Sequence, residues 1–279
     1  MLLRDNKVLI TILNCLKNRS FSYIPKRNKY QKKVVILLTF FSFNSALAQS
    51  LDKELGQLYI QKKYNEALVK SEVILKVNIN NPVANLIKGR IYADQGQLEN
   101  GKPFINRAIE NDERRAWITA WAYHYLGLIE FKKGNLHAAR KHFKENIQLN
   151  ATKNATKASK GILLLSGLDD FYKDWQIIET EDIRFYFQPL STVEDLKRFA
   201  KSRQKALRKI NQFFNVKLPK KIDFIVWNSN DEAKKIGFKE LGFAKPEFNV
   251  IHSRTNQTLG HELTHVITHF LLHSTEYFL

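Results

Sequence analysis

The stretch GRIYADQGQLENGKPFINRA, residues 89–108, decides how the first half of the chain folds, because it is echoed on both sides of itself. Thirty-four residues earlier, Gly89, Tyr92, Leu98 and Gly101 are answered by Leu55, Leu58, Tyr64 and Ala67. Thirty-eight residues later, Gly89, Gly96, Leu98, Gly101 and Ile105 are answered by Gly127, Gly134, Leu136, Ala139 and Phe143. Small residues at fixed places with large apolar residues between them predict helix pairs stacked unit on unit, each burying its apolar face only against its neighbours.

The period, the small residues at 89, 101, 127 and 139, and the large residues between them resemble the tetratricopeptide repeat (TPR) over about three units, Leu51 to Ala158. The pattern departs from that family in three places. Leu55 stands where a glycine is usual, Glu113 to Ala116 are inserted before the third unit, and Pro82 comes late for a unit end. The resemblance implies an α-solenoid over 49–160 that offers a surface to a protein or peptide partner. His124, His137 and His142 are single helical histidines, read as surface or packing residues. Gly161 to Trp175 reads as a capping or linking helix over 161–176.

Beyond it the periodicity changes. Ile183, Phe185 and Phe187 alternate with more polar neighbours, as a half-buried strand requires. Val193 to Phe214 follows as an amphipathic helix with Leu196, Phe199, Ala200, Leu207, Ile210 and Phe214 on its apolar stripe. Its Lys197, Arg198, Lys201, Arg203, Lys205, Arg208 and Lys209 read as a solvated basic face, the alternatives being an acidic partner, nucleic acid or an anionic surface. No stacking aromatics interleave with them, which argues against nucleic acid. Ile222 to Trp227 is apolar on both faces apart from Asp223 and predicts a central strand. A short helix over Asp231 to Phe238 comes next. Phe243 to Ser253 reads as a third strand, placed at an edge by Pro246.

The chain then reaches His261-Glu262-Leu263-Thr264-His265, an HExxH pattern. On a helix, residues four apart project from one face, so His261 and His265 can address one zinc ion. Glu262 stands where a general base is needed. Leu259, Leu263, Val266 and Phe270 fall on the opposite side, predicting a helix with one face in a core and the other open.

The order strand, long helix, strand, short helix, edge strand and HExxH helix resembles the peptidase MA-like zinc proteases of the gluzincin type. The resemblance covers Trp175 to Leu279 and implies a partial α+β domain with a small sheet over 177–279. It makes His261 and His265 zinc ligands and Glu262 the catalytic base, and it has the edge strand hold an extended peptide. It also implies a third ligand from a glutamate on a later helix. Glu276 is the only downstream acid; on a continued helix it would lie about 16 Å from the ion, so it could ligate only if the chain turns back near His273 and Ser274. The peptidase-like region therefore reads as truncated, which would leave Ile267, Phe270 and Leu271 poorly covered. His252 is a candidate substrate-side donor or metal neighbour, the alternative being an exposed strand histidine.

At 279 residues, 44% hydrophobic, the chain has material for two cores and is not a disordered tail. Residues 1–48 carry +8 of the formal +18 charge, leaving +10 for the rest. Within them Lys26, Arg27, Lys29, Lys32 and Lys33 precede the apolar run Val34 to Phe43, and Ala46 and Ala48 supply a small-residue cleavage site. That pattern predicts a secretory signal peptide and an exported protein, periplasmic or secreted. The run is too short for a membrane anchor, and the one cysteine, Cys15, lies within the leader, so no disulfide is expected in the exported part. Taken together, the sequence predicts an exported zinc metallopeptidase with TPR-type recruitment. The competing reading is a non-catalytic scaffold with an incomplete peptidase domain.

Overall fold

A computed structural model describes residues 50–189 and 192–272, of which those from Glu54 onward form one compact unit. The leader and Glu276 lie outside the described residues. The first half is a succession of antiparallel helices: α1 (50–60), α2 (Tyr64–Val77), α3 (Pro82–Asp94), α4 (Leu98–Glu110), α5 (Trp117–Lys132), α6 (Leu136–Leu149) and α7 (Lys153–Leu165).

Glycine decides how closely the pairs approach. A Cβ on Gly89 would meet the Ile105 side chain at 2.5 Å and the Gly101 carbonyl at 2.9 Å, and one on Gly127 would meet the Phe143 ring at 2.5 Å. The turns between paired helices repeat as well. Gly96 and Gly134 take φ of +79° and +83°, conformations that favour glycine, so the chain can reverse within three residues. The insertion before the third unit is tied down by Asp112, whose Oδ2 accepts from the Ala116 and Thr119 amides at 3.0 Å and from the Thr119 hydroxyl at 2.8 Å. Gly89→Ala is expected to destabilise the protein by about 1–3 kcal/mol through overpacking. Gly56→Ala, where a Cβ meets nothing within 4 Å, should be neutral or slightly stabilising. Thermal melts of the two variants provide the check; equal losses would remove close helix approach as the cause.

The helix expected at 161–175 begins earlier, at Lys153, because the Thr152 side chain accepts from the Ala155 amide and caps it there. It ends at Leu165, and Asp170–Tyr172 forms a separate short 3-10 turn.

The second half is a five-stranded sheet in the order β1-β2-β3-β5-β4, with β1 (Gln176–Glu179), β2 (Ile183–Phe187), β3 (Ile222–Trp227), β4 (Phe243–Lys245) and β5 (Val250–Arg254). Strands β2, β3 and β5 are parallel and β1 and β4 are antiparallel edges. Between them run α8 (Val193–Phe214) and α9 (Asn230–Lys235), and α10 (His261–Leu272) follows β5. The central place expected for Ile222 to Trp227 is observed, and all six residues are buried. The single strand expected over Phe243 to Ser253 is two strands broken by a 3-10 turn at Pro246–Phe248. Proline cannot donate to a ladder, so the chain leaves the sheet there and returns as β5. Of these two strands β4 alone is at an edge; β5 lies between β3 and β4.

Each face of the sheet has its own helical cover. Ile222, Phe224 and Val226 of β3 join Phe185, Leu196, Leu207, Leu263, Val266 and Phe270 in a core under α8 and α10. Ile225 and Trp227 join Phe131, Phe143, Leu163, Tyr172 and Trp175 in a core shared with α5, α6 and α7. The last helices of the repeat region therefore form the third layer of the sheet region. Ile267 and Phe270, expected to be poorly covered, are 0% and 4% exposed because α8 and the segment carrying Val216 and Leu218 close over them. Leu271, at 40%, remains partly open.

Candidate metal centre

Two anchors set where α10 begins. Arg203 of α8 donates from Nη2 to the Gln257 carbonyl at 2.6 Å, and Gln257 Nε2 donates to the Leu241 carbonyl at 3.2 Å. The loop after β5 is thus pinned to the long helix on one side and to the approach to β4 on the other. Arg203 is 3% exposed and lies over the Phe199 ring, so it belongs to the apolar stripe rather than the basic face on which the sequence reading put it. Its place seven residues after Leu196, two helical turns less 20°, is the signal that identifies it.

On α10, Leu263, Val266, Ile267 and Phe270 are buried, which fixes the rotation of the helix and turns His261 and His265 outward. Leu259, expected on this helix, precedes its first turn and is 51% exposed. The two imidazoles cross at 89° with Nε2 atoms 3.3 Å apart. Glu262 lies at the margin of the buried face, 6% exposed, with Oε1 4.0 Å from His261 Nε2. The three donor groups lie within 4.8 Å of one another, and among the described residues they are the one grouping of this kind.

These donors fit a zinc ion in type and spacing. Two nitrogens held about 2.0–2.1 Å from one tetrahedral ion stand roughly 3.3 Å apart, the separation found here. A buried carboxylate ordinarily needs a cation. Among the described residues no Lys or Arg nitrogen comes within 4.0 Å of Glu262, which faces the imidazole pair instead.

A family model for the tetratricopeptide repeat matches residues 83–115, which hold the α3–α4 pair. One repeat is thereby shown, and the neighbouring helix pairs pack in the same manner. Comparison with curated proteins and with solved structures returned no match.

His252, a candidate for the substrate side or the metal with an exposed strand position as the alternative, takes neither place: it has no part in this cluster and is not exposed. It is fully buried on the repeat-facing side of β5. Trp227 Nε1, which can only donate, bonds His252 Nδ1 at 3.1 Å; the proton is therefore on Nε2, which donates to the Leu165 carbonyl of α7 at 2.7 Å. Phe243 stacks on its ring at 4.9 Å. The sequence hid this because Trp227 and Leu165 are 25 and 87 residues away.

Burial holds His252 neutral and lowers its pKa to about 4; His124, buried and beside the Arg90 charge, is lowered to about 3. Unfolded, both titrate near 6.5. Between these values the unfolded chain binds more protons, so stability is full above about pH 6.5 and is lost as pH falls toward 4. Melts from pH 7 to 4.5 should show that loss, and His252→Gln, which can keep both hydrogen bonds, should flatten the slope. An unchanged slope in the variant would exclude His252 as a source of acid sensitivity.

Proposed function

We propose that the protein is a zinc-dependent peptidase of the gluzincin type in which His261 and His265 hold the metal, Glu262 is the general base, and the helical repeats recruit a protein partner or substrate. The 3.3 Å spacing of the two Nε2 atoms carries this reading. Bound zinc supplies Lewis acidity and lowers the pKa of water. Glu262 is placed to take a proton at its carboxylate and to return it to the departing amide nitrogen. The core contacts of α10 and the Arg203–Gln257 anchor keep the three groups aligned, so little ordering remains to be done when substrate arrives.

Recruitment by the repeats is supported by a cluster drawn from the first helix of each pair. The Arg90 guanidinium of α3 lies 4.1 Å from the Tyr59 ring of α1 and 4.6 and 4.8 Å from the Trp121 and Tyr125 rings of α5. Tyr125 is buried and bonded through its hydroxyl to Asp94, and the partly exposed Tyr59, Arg90 and Trp121 leave an aromatic and guanidinium patch that suits peptide binding. The basic, apolar and small-residue succession at 26–48 supports export, periplasmic or secreted.

A second reading, a repeat scaffold without catalysis, is favoured by the donor count. A catalytic zinc takes three protein ligands, and the cluster contains two histidines and Glu262 alone. Glu276, named from the sequence for the third place, lies outside the described residues. Zinc content after exhaustive dialysis separates the readings. One ion per chain, lost in His261→Ala/His265→Ala, supports the metal centre; a metal-free chain under zinc-replete expression overturns it.

A further inference from the structure

We propose that the open edge of β1, together with the lysine ridge of α8 beside it, is a docking site for an extended acidic segment of another protein, which adds as a sixth strand. The first observation is the edge. Among the described residues strand β1 has a neighbour, β2, on one side only, and Gln176 to Glu179 keep the outward backbone groups that a further strand would pair.

The second is charge. Lys197, Lys201, Lys205 and Arg208 fall at i, i+4, i+8 and i+11 of α8, within 80° of one another around the helix, and all line one groove of about 500 Å³ floored by Ile178 and Ala200. Among the described residues none of the three lysines has an acidic partner within 4.0 Å. Of the nearby acids Glu181 is engaged by Arg208, Glu179 by Arg184 and Lys221, and Asp182 by Gln204, which leaves the exposed Glu194, one turn before Lys197, against the three lysines. The ridge is therefore left with a surplus of positive charge facing an unpaired edge.

The third is pitch. Lysines four apart on a helix are spaced about 6 Å along its axis, and alternate side chains of a strand about 6.6 Å. A strand added to β1 would set every second side chain toward α8 at nearly the spacing of the ridge. On the opposite face Ile177 is 56% exposed, so the intervening residues of the partner would be apolar or β-branched. The recognised chemistry is an extended segment with acidic and β-branched residues alternating.

The test is fluorescence anisotropy of the full chain with labelled Ac-Thr-Glu-Val-Glu-Val-Glu-Thr-NH2. Binding should weaken about tenfold in Lys201→Glu/Lys205→Glu, whose melting is unchanged because both side chains are exposed, and should persist with chelator present. Methylating the backbone nitrogens along one edge of the peptide should abolish binding, whereas methylating the other edge should spare it. Equal binding of a scrambled peptide of the same composition, or indifference to methylation on both edges, would overturn strand addition in favour of plain ion exchange. Tighter binding of oligothymidine or of phosphatidylserine vesicles would overturn the acidic-protein assignment.

Discussion

If the proposed peptidase reading holds, Glu262→Gln is expected to suppress peptide hydrolysis and to leave zinc bound. Glutamine keeps the length and shape of the side chain in its 6% exposed position but cannot hold a proton as a carboxylate does. General-base assistance is worth about 10²–10⁴ in rate, so activity should fall by that factor. Zinc stoichiometry should stay the same if Glu262 acts on protons. If Glu262 is instead a metal ligand, as its place within 4.8 Å of both histidine donors allows, the same variant should lose metal along with activity. Measuring zinc content and turnover on one preparation distinguishes these outcomes. Full activity in the variant would remove Glu262 from the chemistry altogether.

The second large effect is on stability. Asp223→Ala should cost about 3–5 kcal/mol, a large fraction of an ordinary domain's stability. Asp223 is fully buried on β3 and accepts from Lys220 Nζ at 2.6 Å, Arg184 Nη1 at 3.1 Å and the Tyr186 hydroxyl at 3.4 Å. Lys220 depends on it most. Burial pushes its ammonium pKa down and the Asp223 charge pulls it up, while its Nζ lies 3.6 Å from the centre of the Phe131 ring of α5. Removing the carboxylate strands this cation between the repeat helices and the sheet. Asp223→Asn/Lys220→Met should cost much less than Asp223→Ala, because both charges leave together. Urea midpoints of the three proteins decide it; a double variant as weak as Asp223→Ala would point to lost shape rather than an unpaired charge.

What the sequence revealed and concealed follows from the range of the interactions. The helix pairs around Gly89 and Gly127, the span Val193–Phe214 and the central place of Ile222–Trp227 were legible because local period and composition fix them. The short edge strand Gln176–Glu179 was not, since four residues carry too little alternation and the pairing with Phe187 to Arg184 is tertiary. Arg203 was assigned by charge when its helical angle placed it in the core. At the candidate metal centre, the spacing of His261 and His265 announced that both imidazoles share one face of α10, whereas the burial of Glu262 depended on which side of that helix meets the sheet. His252 was misplaced because nothing next to it in the chain reports the Trp227 indole and Leu165 carbonyl that enclose it.

The shared third layer also bears on the order of assembly. Helix pairs close contacts between residues 16 positions apart, as Gly89 with Ile105 and Gly127 with Phe143, and each can form as soon as its own unit exists. The parallel pairs Ile183↔Ile222 and Phe224↔Ile251 need longer excursions and gain little until both faces are covered. Because α5, α6 and α7 supply one of those covers, the strands are expected to collect on them as on a template. Chain synthesis delivers that template before the strands that need it.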